Sequence, residues 1–233
     1  MKSTSLRSRL VRIAARSPGR SIAGPEVERI PLDHPLKQLA EVGNRLRHLV
    51  PIEYPGPRLP HDIAFSENYT IVNDFPLFWD PELLRKGIHA TRFHPDMPSR
   101  FGILPRYGDS DSVQWFKAEP TYVLHFVNAW EEGDEIVMDV CRFRMPGPSA
   151  IEFNGPLANI LNYLRLDAFV HRYRFDLTAA TTTETPLDER NTEFPMIDAA
   201  LIGRRNRYTY NVSINNDFTM YFDGIVKYDM ERG

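Results

Sequence analysis

One cysteine stands in the 233 residues, which excludes an intramolecular disulfide framework and a multi-cysteine zinc site. Cys141 lies in a strand-like run, where a small buried hydrophobe is expected. No stretch approaches the roughly 20 apolar residues of a bilayer-spanning helix. The N-terminus also lacks the apolar segment of a secretory signal. The expectation is a cytoplasmic protein. Excess charge of one sign is missing too: 28 Lys and Arg against 31 Asp and Glu give a formal net charge of -3, so nucleic acid is not an expected partner. Acid is absent only locally, across residues 1–25, where Lys2, Arg7, Arg9, Arg12, Arg16 and Arg20 accompany serines. A flexible tail accounts for that composition more simply than an organelle transit segment.

What is present favours β structure. Aromatic residues make up 12% of the chain, and 19 prolines sit at segment boundaries, where they interrupt helices and tolerate turns. Residues 34–48 suggest one short helix, with Leu36, Leu39, Ala40 and Leu46 only loosely periodic. Beyond it, short apolar-rich runs predict strands over 46–53, 60–65, 69–74, 100–105, 121–128, 135–142, 169–176, 206–213 and 223–228. The polar stretch Glu131-Glu132-Gly133-Asp134 reads as a hairpin loop. Between Pro156 and Asp167, Leu157, Ile160, Leu161 and Leu164 recur at helical intervals. That segment, 156–167, is expected to cover sheet ends, or to make a peripheral contact with a membrane surface.

Chemistry must be sought among seven histidines. His125 lies within Tyr122-Val123-Leu124-His125-Phe126-Val127-Asn128-Ala129-Trp130, a run whose neighbours belong in a core. His61 opens His61-Asp62-Ile63-Ala64-Phe65-Ser66-Glu67-Asn68-Tyr69, at the head of another. A buried neutral imidazole must satisfy two ring nitrogens, and a metal at one with a carboxylate at the other does so. A hydrogen-bonded core histidine does so as well. Two histidines more than sixty positions apart show no ligand spacing, and the residues alone leave that choice open.

The surrounding words add what spacing lacks. The His61 to Tyr69 segment and Leu124-His125-Phe126-Val127-Asn128-Ala129-Trp130-Glu131-Glu132-Gly133 resemble two iron-ligand strands of the carotenoid cleavage oxygenases. Ser99-Arg100-Phe101-Gly102-Ile103-Leu104-Pro105-Arg106 and Thr192-Glu193-Phe194-Pro195-Met196-Ile197-Asp198 resemble two further family segments, in the same order. The similarity runs from about Asn44 to the end, so 44–233 is expected to be a propeller domain and 1–43 a poorly structured, atypical leader.

That resemblance implies an all-β fold: part of a seven-bladed β-propeller of antiparallel blades, with a short helical insertion. It implies Fe2+ held by four neutral histidines, with His61 and His125 as two of them and Glu193 as a carboxylate behind a ligand histidine. It further implies cleavage of a conjugated double bond of a carotenoid, apocarotenoid or stilbene by O2 to give two carbonyl products. Phe65, Phe101, Phe126 and Trp130 are candidates for an apolar substrate tunnel. Packing is the ordinary role of each.

The sequence departs from the family where two ligands are expected. His34-Pro35 lies too close to His61 to be the upstream ligand, and no match to the fourth follows Asp229. His89 and His94 read as solvated loop residues, and His171 as a polar-face residue of a strand. A fragment of a longer enzyme is therefore expected. The alternatives are a degenerate, non-catalytic propeller piece that binds an apolar ligand, and an iron site of His61, His125 and Glu193 alone.

Overall fold

In the computed structural model the described residues are 14–15, 39–42, 45–46, 48–56, 58–87, 91–146, 165–215 and 221–232. Near the N-terminus, Leu39–Val42 and Arg45–Leu46 pair as antiparallel strands, where the sequence suggested a helix over 34–48. Four loosely spaced apolar residues do not make the continuous stripe that a helix must bury.

The rest is built from antiparallel sheets. Strands β1 (Ala64–Phe65) and β2 (Tyr69–Asp74) begin the first. The chain then leaves it through the hairpin β3 (Leu77–Trp79) and β4 (Thr91–Phe93). Between these two, α1 (Pro81–Arg85) starts where the Asp80 side chain accepts from the backbone N–H groups of Glu82 and Leu83. Strands β5 (Ser99–Pro105) and β6 (Gln114–Ala118) return to complete a four-stranded sheet ordered β1-β2-β5-β6. Gly102 of β5 has Val72 and Val113 so close that an added Cβ would come within 2.9 Å of both.

The second sheet takes consecutive strands in order: β7 (Val123–Glu132), β8 (Glu135–Phe143), β9 (Ala168–Asp176) and β10 (Thr181–Pro186). Glu132 pairs with Glu135, so the β7–β8 connection is a two-residue turn, and its Gly133 takes φ 63°, the region glycine enters without penalty. The third sheet has three strands: β11 (Thr192–Met196), β12 (Tyr208–Asn215) and β13 (Tyr221–Asp229).

Strand β8 lacks the usual alternation because both its faces are covered, and Ile136 to Cys141 are all buried. Asp139, in the middle of that run, is tolerated because Arg172 directly across on β9 grips both of its oxygens, at 2.7 and 2.8 Å. The core between the first two sheets is aromatic. Phe101 is fully buried, with ring centroids 4.9 Å from Tyr173 and 5.2 Å from Phe175, and Phe116 packs on Phe175 at 5.3 Å.

Several boundaries differ from the expected ones. Strand β1 occupies only the end of 60–65, while β3, β4, β6, β10 and β11 fall where no strand was expected. The 156–167 segment lies almost wholly outside the described residues.

Candidate metal centre

Three segments distant in sequence bring one residue each to a common place. His125 sits on β7, Glu193 on β11, and His61 in the extended stretch just before β1. The His61 and His125 ring centroids are 5.3 Å apart with their planes at 79°. Nδ1 of His125 lies 2.6 Å from Oε2 of Glu193, whose side chain is fully buried.

The backbone is irregular at both strand positions. Against β8, the register of β7 slips between Val123 and Phe126, the interval that holds His125, and again between Phe126 and Asn128. Bulges of this kind re-aim a side chain that a regular ladder would fix. The freed Phe126 N–H donates instead to Oδ2 of Asp62 at 3.0 Å, and Oδ1 of Asp62 accepts from Ile63 N at 2.8 Å. Asp62 thus clamps the His61 segment beside His125. On β11 the register slips between Glu193 and Met196, and Phe194 takes φ 52°, a value rare for a bulky residue. That turn lets Phe194 N donate to Glu193 Oε2 at 2.6 Å and sets the Phe194 ring 5.1 Å from that of His125.

The electrostatics follow. The Glu193 carboxylate raises the His125 pKa above the usual imidazole value; partial burial opposes this, and Asp62 adds to it. With Nδ1–H held by a carboxylate, Nε2 is the nitrogen left with a lone pair. Behind the pair, burial and then the Glu193 charge push the Cys141 thiol pKa well up, which keeps it protonated and inert. Oε1 of Glu193 is buried without a hydrogen-bond partner. Oε2 is committed to His125 and Phe194, so that oxygen is not free to take a metal.

This donor set fits a divalent first-row metal ion. Two imidazoles on one ion, with metal–nitrogen distances of about 2.1 Å, hold their ring centroids roughly 4.5–5.5 Å apart, and the observed 5.3 Å falls in that range. The His61 ring is exposed and has no hydrogen-bond partner among the described residues, so neither ring nitrogen is committed to another side chain there. The set is also small: among the described residues no group of three or more His, Cys, Asp or Glu side chains is placed to hold a metal.

The other histidines lie elsewhere. His94, expected to be solvated, is half-buried and stacks on Phe78 at 4.3 Å. His171, expected on a polar face, is 5% exposed on β9, with Nε2 3.4 Å from the Glu184 carboxylate. Its strand face closes against the first sheet, which the alternation with arginines concealed. His34 and His89 lie outside the described residues.

His61 also borders an apolar cavity of about 280 Å³, whose walls include Leu59, Tyr122, Leu124, Phe143 and Leu166. Phe65, Phe101, Phe126 and Trp130 are not among its lining residues. Phe101 is in the core, Phe126 and Trp130 are buried, and Phe65 lies under the Arg106 guanidinium. Arg172 covers Trp130. Asp62 and Phe194 carried no signal in the sequence, because their roles depend on bulges that composition does not reveal.

The antiparallel sheets thus bring together one carboxylate-backed imidazole on a bulged strand, a second imidazole beside it, and an apolar cavity that the second borders. The family described as retinal pigment epithelial membrane protein matches residues 24–233, and the chain belongs to it. A carotenoid 9,10(9',10')-cleavage dioxygenase of Crocus sativus is 33% identical over 79% of this chain and 33% of its own length. A carotenoid cleavage oxygenase of Mycobacterium tuberculosis is 26% identical over 74% of this chain and 41% of its own. Among solved structures, a lignostilbene dioxygenase of Pseudomonas brassicacearum matches with TM-score 0.65 and 25% identity, over 80% of this chain and 41% of that one. A cobalt-substituted Synechocystis ACO matches in fold with TM-score 0.67 and 24% identity, over 80% and 39%. The chain thus spans about a third of the length of the first of these relatives.

Proposed function

We propose that this chain carries half of the metal centre of a non-haem iron(II) dioxygenase that cleaves a conjugated carbon–carbon double bond of a carotenoid, apocarotenoid or stilbene. His61 and His125 are its iron ligands, and Glu193 fixes the tautomer and orientation of His125. The observation that carries this reading is the Glu193–His125–His61 arrangement at the mouth of an apolar cavity. The names of the relatives supply the substrate class. In this reading the three larger sheets are blades of a seven-bladed propeller spanning 44–233 and continued by other polypeptide. The protein works inside the cell, with 156–167 as a peripheral membrane contact.

When bound, iron supplies activation of O2 toward the alkene, which yields two carbonyl products. The chain's own residues do the rest. Leu59, Leu124, Phe143 and Leu166 hold an apolar chain beside His61 and keep water from it. Asp62 keeps His61 within reach of His125. Glu193 keeps the proton of His125 on Nδ1, away from the ligating nitrogen.

The test is anaerobic titration of the purified chain with ferrous iron, compared with a His61→Ala/His125→Ala variant of unchanged circular dichroism. Weak binding lost in the double variant supports the assignment. Equal binding by both proteins overturns it.

A further inference from the structure

Residues 59–62 and 122–126 meet at the candidate metal centre, and each segment carries one of its histidines. Among the described residues no strand pairing joins the two segments. Two hydrogen bonds from or to a side chain do. At one end the Tyr122 hydroxyl donates to the Leu59 carbonyl at 2.9 Å, and at the other the Phe126 N–H donates to Asp62 Oδ2 at 3.0 Å. His61 lies between Leu59 and Asp62, and His125 between Tyr122 and Phe126, so these bonds bracket both imidazoles. The slipped register at His125 accounts for the Asp62 bond, because it frees the Phe126 N–H, but it does not account for the Tyr122 bond.

We propose that Tyr122 is a positioning residue of the metal pair, which sets the separation of the His61 and His125 rings by holding the Leu59 carbonyl. This rests on the reading of those two histidines as ligands. The carbonyl that Tyr122 holds belongs to the Leu59–Pro60 peptide bond, which is planar, and the pyrrolidine ring then fixes φ of Pro60. Only ψ of Pro60 and the His61 torsions are left to turn before Asp62, whose own carbonyl accepts from Asn73 Nδ2 at 2.7 Å. A hold on Leu59 therefore reaches His61 with little slack.

Tyr122 is a firm anchor for this purpose. It is 4% exposed, its ring meets that of Phe75 edge-on at 5.4 Å, and its backbone carbonyl accepts from Phe143 N at 3.1 Å, which ties it to β8. Burial pushes the phenol pKa up, so the hydroxyl stays protonated and remains a donor. A core tyrosine needs a partner for its hydroxyl, and many carbonyls would serve. Here the acceptor lies two residues before one ligand and the donor three residues before the other. Leu59, His61, Tyr122 and Leu124 also line one cavity, so the phenol ties the cavity wall to the metal pair. Every contact used lies within the two four-stranded sheets and the segments that lead into them.

The test compares the wild-type chain with Tyr122→Phe, which removes the hydroxyl and keeps the ring. In metal-free protein carrying isotope-labelled histidine, the nuclear Overhauser cross-peak between the His61 and His125 ring protons reads their separation. That cross-peak is expected in wild type, reduced or lost in Tyr122→Phe, and unchanged in Tyr173→Phe, where the ring lost its hydroxyl among Phe101, His171 and Phe175. Its absence from wild type, or wild-type strength in Tyr122→Phe, overturns the proposal whether or not iron binds. Ferrous iron affinity is expected to fall about tenfold in Tyr122→Phe, with the urea midpoint shifted no more than by Tyr173→Phe. An unchanged affinity beside a weakened cross-peak also overturns the proposal. Wild-type protein that binds no iron counts against the ligand reading and leaves the cross-peak to decide on Tyr122. Pro60→Gly keeps the hydroxyl bond but frees the stiff link to His61. It is expected to weaken the cross-peak as well, and it gives the answer should Tyr122→Phe fail to fold: a cross-peak of wild-type strength in Pro60→Gly then overturns the proposal.

Discussion

Strand β8 meets β9 through nine consecutive pairs, from Glu135↔Asp176 to Phe143↔Ala168, whereas against β7 on its other side the register slips twice around His125. One strand thus supports a regular ladder on one flank and a broken one on the other. The regular flank buries Met138, Val140, Tyr173 and Phe175 and holds the two sheets together. The broken flank gives up ladder bonds to aim one imidazole and recovers part of the loss through Asp62, whose carboxylate takes the displaced Phe126 N–H. Regularity here serves stability, and irregularity serves the site.

The two flanks should therefore fail differently. On the regular flank, Phe175→Ala removes a fully buried ring that touches Phe101, Phe116 and Tyr173. The expected loss is about 3–5 kcal/mol in urea unfolding, reflecting lost transfer free energy plus a cavity. Such a loss would unfold a marginal chain, so Phe175→Leu is the milder companion. On the broken flank, Glu193→Gln is expected to weaken ferrous iron binding about 10–100-fold with little change in the unfolding midpoint. Equal losses of stability and affinity would show that Glu193 is an ordinary packing group. Asp62→Ala comes next. It orphans the Phe126 and Ile63 N–H groups, costing about 1–3 kcal/mol if both stay buried, and iron affinity should fall although neither ligand has changed. Affinity unchanged after that substitution would separate His61 placement from the Asp62 clamp.

The sequence made the regular flank easy to read and the broken one hard. Strands β2, β5, β8, β9, β12 and β13 are expected from their apolar runs to within two residues, and β7 runs four residues past its expected end. The missed strands carry weak patterns for identifiable reasons. Strand β10 is threonine and glutamate ending in Pro186, with no large apolar residue, β11 contains Pro195, and β3 and β4 are three residues each. Periodicity cannot mark such strands, since their pairing is imposed by neighbours already in place. His61, His125 and Glu193 were legible only through the words around them, because a site assembled from three distant segments has no local spacing. The cavity wall was only partly legible: Leu59, Tyr122 and Leu124 neighbour the two histidines in sequence, while Phe143 and Leu166 come to it from other segments.

The smallest effect lies at the turn joining the two flanks. Glu132 and Glu135 oppose each other across the β7–β8 hairpin, and Arg174 of β9 binds both, at 2.6 and 2.7 Å. The Trp130 indole N–H and then Arg174 hold the Glu132 carboxyl below the usual carboxylate range, against a partial opposing effect of burial. A depressed carboxyl pKa contributes stability that is fully present above the unfolded value, near 4.3 on average, and is lost as pH falls through the lower folded value. About a third of this side chain is exposed, so solvent screening limits the contribution to at most about 1 kcal/mol. Glu132→Gln should therefore lower the urea midpoint slightly at neutral pH, and the difference from wild type should vanish in acid below the folded pKa. A difference that persisted or grew in acid would mean that the hairpin is held by neutral hydrogen bonds, and that charge contributes nothing to joining the regular flank to the broken one.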